Sequence, residues 1–259
     1  MTSDDPRALS DALGRLATTP RLLVALDFDG TLAPEVDAPM AARALPEALT
    51  AIARLSAAEA TTVALVSGRD LASLSEISET ADEVLLVGSH GVELRMAGHE
   101  TSLTDDEAAA RARLSEAVHA AAEGHDGVFV EEKPAGLALH TRLADATTTE
   151  TVLSEARRTV GALEGIHERT GKNVLEFAVR ATGKNDGIDR LREIVGATGV
   201  LYAGDDVTDE DGFAALGEGD LAVKVGPGES VAGHRVADPA AIARLLGELA
   251  DLREHLGHS

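Results

Sequence analysis

Four short apolar runs in this chain each end on a knot of small and polar residues, and that recurrence limits the fold more than any other feature. Val24–Leu26 leads into Asp-Phe-Asp-Gly-Thr, Thr62–Val66 into Ser-Gly-Arg-Asp, Val84–Val87 into Gly-Ser-His-Gly and Val200–Ala203 into Gly-Asp-Asp. A fifth run, Leu221–Gly226, follows near the end. Uninterrupted apolar runs of this length predict strands buried on both faces. Leu45–Ala58 and Leu71–Ile77 read as helices between them, so the pattern predicts an α/β fold: a parallel, Rossmann-like sheet with helices on both faces. In such sheets ligands gather beyond the carboxyl ends of the strands, where these polar knots fall. Met1 to Pro20 reads as a modest amphipathic helix.

The rhythm changes between Asp105 and Val179. Asp105–Ala122 reads as an amphipathic helix and Thr147–Leu163 as a second. GVFVEEKPAGLALHTR reads as a hairpin turning at Lys133-Pro134-Ala135-Gly136, and IHERTGKNVLEFAV as another around Gly171-Lys172-Asn173. Helix, hairpin, helix, hairpin predicts a smaller α+β unit with its helices on one side of an antiparallel sheet. We expect it over residues 104–179, inserted into a core formed by 1–103 and 180–259.

Composition excludes several functions. The chain has 259 residues, no cysteine and a formal net charge of −22. Disulfides and thiolate metal sites are impossible, and a nucleic-acid partner is not expected, because phosphate backbones need Lys/Arg surfaces. No apolar run reaches the ~20 residues of a membrane span, and the first residues lack a secretory pattern, so no membrane association and a cytoplasmic location are the expectations. Gly-Lys at 171–172 and 183–184 fails the phosphate-loop spacing, GSHGVE is no dinucleotide fingerprint, and no GxSxG or zinc spacing occurs.

Asp27 and Asp29 pose the central question. Two carboxylates at the end of one strand repel each other unless they hold something positive. Residues i and i+2 of a strand share a side, so both can aim at one cavity and hold a hard dication such as Mg²⁺. Gly30 permits a sharp turn, and Thr31 offers a hydroxyl and an amide to an anion. An aspartate can also be the attacking nucleophile, with a second acting as acid and base. The plainer alternative is a polar loop closing a strand. Ser67-Gly68-Arg69-Asp70 is either a helix cap, with Ser67 and Asp70 competing for it, or an anion site at a helix start; the two are compatible. Of the late acids, Glu210 and Asp211 suit a helix start. Asp205 is the better metal ligand, with Asp206 and Asp209 orienting it or holding a water.

Asp-Phe-Asp-Gly-Thr-Leu, the strand ending in Ser67, a lone Lys184 and Gly-Asp-Asp after a late strand together resemble the haloacid dehalogenase (HAD) superfamily. The resemblance implies an Mg²⁺-dependent phosphohydrolase. Asp27 would attack phosphorus, and Asp29 would protonate the leaving alcohol and then activate water. Asp27, Asp205 and the Asp29 carbonyl would hold the metal. Gly30, Thr31, Ser67, Gly68, Arg69 and Lys184 would surround the phosphoryl group. GSHGVE, EEKPAGLALHTR, GKNVLEF and YAGDDVTDEDGF, in this order, are similar to the trehalose-6-phosphate phosphatase family from about Leu22 to Val225. That implies hydrolysis of trehalose 6-phosphate, a monomer, and functional coupling to a trehalose-6-phosphate synthase. Sugar contacts would come from Glu131, Lys133, His140, Arg142 and Glu176 of the insert, with His90 and Gly91 of the core. The sequence departs from the family at Ala181 and Asn185, where Pro and Gly are usual, so Asp186 competes with Lys184 for the lysine slot; the spacing from Glu176 favours Lys184. Rival expectations are a phosphatase for a sucrose- or mannosylglycerate-type phosphate, a phosphomutase, and an inactive sugar-phosphate sensor or partner of a synthase.

Overall fold

The computed structural model describes residues 5–36, 38–96, 99–101, 103–171, 173–180 and 182–257. The chain divides into two compact units, residues 1–101 with 182–259, and 102–181. Ala181, Lys172 and the first four residues of the amino-terminal helix expectation lie outside the described residues.

In the larger unit α1 (Pro6–Ala17) leads into β1 (Leu22–Leu26), α2 (Pro46–Ala57), β2 (Thr61–Val66), α3 (Leu71–Ser78) and β3 (Leu85–Gly88). The strands β4 (Glu93–Met96) and β5 (His99–Thr101) follow before the chain enters the smaller unit. There α4 (Asp105–Ala122), β6 (Phe129–Lys133), β7 (Gly136–His140), α5 (Ala146–Val160), β8 (His167–Gly171) and β9 (Val174–Ala178) succeed one another. The chain returns through α6 (Lys184–Val195), β10 (Gly199–Gly204), α7 (Asp209–Ala214), β11 (Leu221–Val225), β12 (His234–Val236) and α8 (Pro239–Gly257).

The large sheet has the order β12-β11-β10-β1-β2-β3-β4-β5. The first six of these strands are parallel, with β1 held between β10 and β2. Every residue of β1 and β10 is buried, as expected of strands covered on both faces. Alternation sends Leu22, Val24 and Leu26 into one apolar cluster with Leu13, Leu16, Ile52, Leu55 and Leu246, and Leu23 and Ala25 into a second with Ile188, Leu191, Tyr202 and Phe213. The amino-terminal helix belongs to the first cluster through Leu13 and Leu16, and Ser10 hydrogen-bonds Glu248 of α8.

The antiparallel pair β4–β5 is a departure from the all-parallel expectation. Its cause lies in Ser89, His90 and Gly91, whose φ values of +49°, +54° and +102° turn the chain back on itself. Glu-Leu-Arg-Met then buries Leu94 while its neighbours stay half-buried, a pattern suited to a sheet margin rather than its middle.

In the smaller unit the sheet order is β6-β7-β9-β8, all antiparallel. Leu137, Leu139, Leu175 and Phe177 form its buried face, and Leu114, Val118, Val152 and Ala156 are the buried residues of α4 and α5. The first hairpin turns on Pro134-Ala135, with Lys133 opposite Gly136. The Thr104–Glu107 capping box starts α4, and Arg180 closes onto the same Glu107, tying the end of the unit to its beginning.

Leu246 is fully buried in the larger cluster. Leu246→Ala leaves a cavity there and is expected to lower unfolding free energy by about 2–5 kcal/mol, read from a denaturant titration with unchanged slope.

Candidate active site

Because β10, β1, β2 and β3 are parallel neighbours, their carboxyl ends bring Asp205, Asp27, Ser67 and the Ser89–Gly91 turn to one edge of the sheet. Asp27 leaves β1 with its amide donating to the Ala203 carbonyl at 2.9 Å, so the two acid-bearing loops start in register. Phe28, fully buried in the larger apolar cluster, anchors the loop. Gly30 then adopts φ +75°, and a Cβ there would lie 2.0 Å from an Asp205 carboxylate oxygen. No other residue fits both the angle and the approach. Thr31 donates its hydroxyl to Asp205 Oδ1 at 3.1 Å.

Lys184, the first residue of α6, is 3% exposed and donates from Nζ to Asp27 Oδ1 at 2.7 Å and Asp209 Oδ1 at 2.6 Å. Asp186 is occupied elsewhere: its carboxylate accepts from the Gly183 amide and caps the helix. Of the two residues competing for the lysine slot, Lys184 is therefore the one that reaches Asp27. Asp209 is wholly buried; its Oδ2 accepts from the Asp206 amide at 2.9 Å, and its Oδ1 also accepts from the Tyr202 hydroxyl.

Asp27, Asp205 and Asp209 each present a carboxylate oxygen, all within 4.8 Å of one another. Three carboxylates meet one ammonium, an arrangement short of positive charge. Burial pushes the Asp27 carboxyl up to about 8; Lys184 opposes the rise, and Asp209 and Asp205 add to it. Asp205 is raised too, mainly by burial. Burial works against the Lys184 charge as well, but Asp27 and Asp209 outweigh it and its pKa is raised. Oxygen donors crowded at this spacing, with unrelieved repulsion, fit a hard dication.

Asp29 is not one of these three acids. Its carboxylate is 40% exposed and lies in a two-pronged pair with Arg69, at 2.5 Å from Nε and 2.6 Å from Nη2. β1 ends at Leu26, so strand alternation alone does not set the directions of residues 27 to 29. Arg69 also donates to the Pro39 carbonyl at 2.8 Å, and its hydrogen bonds to Asp29 hold the guanidinium firmly charged. Ser67 is buried and its hydroxyl accepts from the Arg69 amide at 3.1 Å. The cap of α3 is Asp70, which accepts from Ser73, so Ser67 is not spent on that role. The His90 ring fills the space beside Gly68, where a Cβ would come within 2.6 Å of it, and Gly91 lies against the Gly183 carbonyl at the start of α6. Asp206 is exposed and its carboxylate accepts from the Val207 amide.

In the smaller unit the cross-strand register places Phe129, Glu131 and Lys133 of β6, His140 of β7 and Glu176 of β9 on the sheet face opposite the buried leucines. Lys133 Nζ is 2.6 Å from Glu176 Oε1, and His140 Nε2 is 2.8 Å from Glu131 Oε2. Phe129 stacks on His140 with ring centroids 4.6 Å apart, and Arg142 lies over the Phe129 ring at 5.3 Å. All five insert residues named from the sequence thus meet on or beside one polar face.

Three participants escaped the sequence reading. Phe129 was legible from alternation with Glu131 and Lys133. Lys224, 4% exposed and donating to the Asp205 carbonyl, was signalled by a lone lysine in an apolar strand. Tyr202 was counted only as one more apolar strand residue.

Among the described residues no helix is long and apolar enough to cross a membrane. Comparison with known proteins agrees with the geometry. A Mycobacterium tuberculosis protein called an uncharacterized glycosyl hydrolase is 33% identical over 99% of this chain, which spans 20% of that protein's length. A trehalose-phosphate phosphatase of Mycobacterium ulcerans is 36% identical over 98% of this chain and 68% of its own. The solved trehalose-6-phosphate phosphatase of Aspergillus fumigatus superimposes with a TM-score of 0.76 at 27% identity, covering 98% of this chain and all of that one. The family model for trehalose-phosphatase matches residues 25–238, spanning both acid loops and the whole insert, and the chain belongs to that family.

Proposed function

We propose that this protein hydrolyses trehalose 6-phosphate to trehalose and inorganic phosphate through an aspartyl-phosphate. The observation that carries this is the buried contact of Lys184 with Asp27 beside Asp205 and Asp209, in a chain of this family. Asp27 attacks phosphorus, and the ester oxygen departs with a proton from Asp29. Asp29 then takes a proton from water, whose oxygen attacks the phosphoryl group and releases phosphate and free Asp27. Charge in such transfers sits on the phosphoryl oxygens, so positioned cations do most of the work. Magnesium, held by Asp27, Asp205 and the Asp29 carbonyl, would supply positive charge there. Lys184 adds a fixed charge, and Ser67, Gly68 and Thr31 donate to the phosphoryl group.

The Arg69–Asp29 pair has a role in this reading. The incoming phosphate competes for the guanidinium, which binds phosphate as readily as carboxylate, and so frees Asp29 as the ester arrives. The polar face of the insert is assigned to the sugar hydroxyls, with carboxylates accepting and Lys133 and Arg142 donating, while His90 and Gly91 contribute from the core. Coupling to a trehalose-6-phosphate synthase, which makes the substrate, is the expected partnership.

Phosphate release with Mg²⁺ from trehalose 6-phosphate, set against a panel of sugar phosphates, tests the reading; a clear preference for another ester replaces the substrate, and no release from any overturns the enzyme. Asp27→Asn is expected to abolish turnover and phosphoenzyme formation, measured by acid-stable label after rapid quench. Lys133→Ala is expected to weaken trehalose 6-phosphate turnover at least tenfold, roughly the worth of a lost charged contact, and to spare p-nitrophenyl phosphate; equal loss on both counts against the insert's role. In chelator, a carboxyl raised from the ordinary range to about 8 binds its proton more tightly folded than unfolded. That stability is fully present below the unfolded carboxyl range and lost as pH rises through about 8, so the metal-free melting temperature should fall between about pH 4 and pH 8. Added Mg²⁺ takes the proton's place, and its stabilising effect should grow over the same interval.

A further inference from the structure

We infer that Tyr202 is a positioning residue for the reaction, acting through Asp209 to hold the Lys184 ammonium on the attacking oxygen of Asp27. This rests on the reading of Asp27 and Lys184 given above. Tyr202 lies on β10, fully buried, between the apolar cluster and the acids. Its ring packs against Phe213 at 5.3 Å between centroids, and a Cβ on Gly212 would strike it at 2.5 Å, so the ring has little room to move. Its hydroxyl donates to the same Asp209 oxygen that receives Lys184.

Asp209 has no exposure to water and three donors: the Asp206 amide, the Lys184 ammonium and the Tyr202 hydroxyl. A buried carboxylate needs all of them. The Tyr202 donor is neutral and is carried on a strand that pairs directly with β1. It satisfies Asp209 without competing with Asp27 for the lysine. Remove it, and Asp209 can recover only by drawing Lys184 closer, away from Asp27. The cost then falls on charge placement around phosphorus, not on substrate affinity, because Tyr202 contacts neither phosphate nor sugar residues assigned above.

The chain has one tyrosine and no tryptophan, so its tyrosine emission comes from this hydroxyl-bonded ring alone. Tyr202→Phe keeps the ring and removes the hydroxyl. With Mg²⁺ and trehalose 6-phosphate, or whichever ester of the panel the wild type prefers, we expect kcat to fall by at least tenfold, the loss of one hydrogen bond to a charged group, with KM within about twofold. Combined with Asp209→Asn, the substitution should add less than twofold, because its path runs through Asp209. A kcat within twofold of wild type, a loss lying mainly in KM, or losses that multiply in the double variant overturns the inference. Wild-type emission gives an answer that needs no variant to fold. Titration with MgCl₂ and inorganic phosphate should change it, and an unchanged signal while a melting-temperature shift shows the ions bound also overturns the inference. A wild type that releases no phosphate from any ester, yet shows the emission change, strikes at the proposed function and not at the coupling.

Discussion

One ammonium group, the Lys184 Nζ, organises the acids around it. It is 3% exposed and sits between two buried carboxylates, Asp27 and Asp209. Removing it would leave two buried carboxylates without their cation in a place water does not reach, which costs far more than the pairs themselves contribute. The neighbouring features follow from this. Gly30 must be glycine so that its loop can lie against Asp205, α6 must begin where Lys184 can reach inward, and β10 must adjoin β1 so that Asp205 and Asp209 arrive at all. Placing three acids with one lysine concentrates negative charge where the fold can least disperse it. On the proposed reading a dication would complete the arrangement, turning an electrostatic liability into affinity for an ion and then for a phosphate.

The two units divide the labour along the lines of their architecture. The larger has acids and donors on loops that rise from rigid parallel strands, so their positions are set by the most deeply buried part of the chain. The smaller carries Glu131, Lys133, His140 and Glu176 as alternate residues on an antiparallel sheet, where one face is packed and the other is free to vary. The Lys133–Glu176 ion pair and the Glu131–His140 hydrogen bond there are partly solvated and contribute little to stability. Such groups can exchange partners with a ligand's hydroxyls at small cost. On the proposed reading, the chemistry is thus built where exchange is hardest and the recognition where it is easiest.

Much of this was legible in the sequence because buried parallel strands leave an unbroken apolar trace and their loops cannot hide acids. Asp27, Ser67, Lys184 and Asp205 could be named from their positions after such runs or from family resemblance. The failures have specific causes. The Arg69 partner of Asp29 could not be named, because alternation stops where β1 stops and no spacing rule pairs residues 29 and 69. The strands β4 and β5 were missed because Glu-Leu-Arg-Met alternates charge with apolar residues as a surface loop also does. Tyr202 was invisible as a participant because a tyrosine in an apolar strand scores as core, and only coordinates show its hydroxyl meeting Asp209. Phe129 was missed through attention to charge: its neighbours at 131 and 133 were read for chemistry, and the ring on which His140 and Arg142 rest was not.

The pairing of β1 with β10 also sets a timetable. Leu22 lies opposite Gly199, and the entire insert is encoded between them. A chain growing from its amino terminus completes the insert, a contiguous stretch, before the strand that must flank β1 exists. Until then β1 presents a bare margin of five apolar residues, the kind of edge that invites pairing with another molecule. Its aspartate meanwhile remains an ordinary, hydrated acid. The nascent chain is therefore most open to such pairing in the interval between synthesis of β1 and of β10, whose arrival closes that edge and brings Asp205 and Asp209 to Asp27.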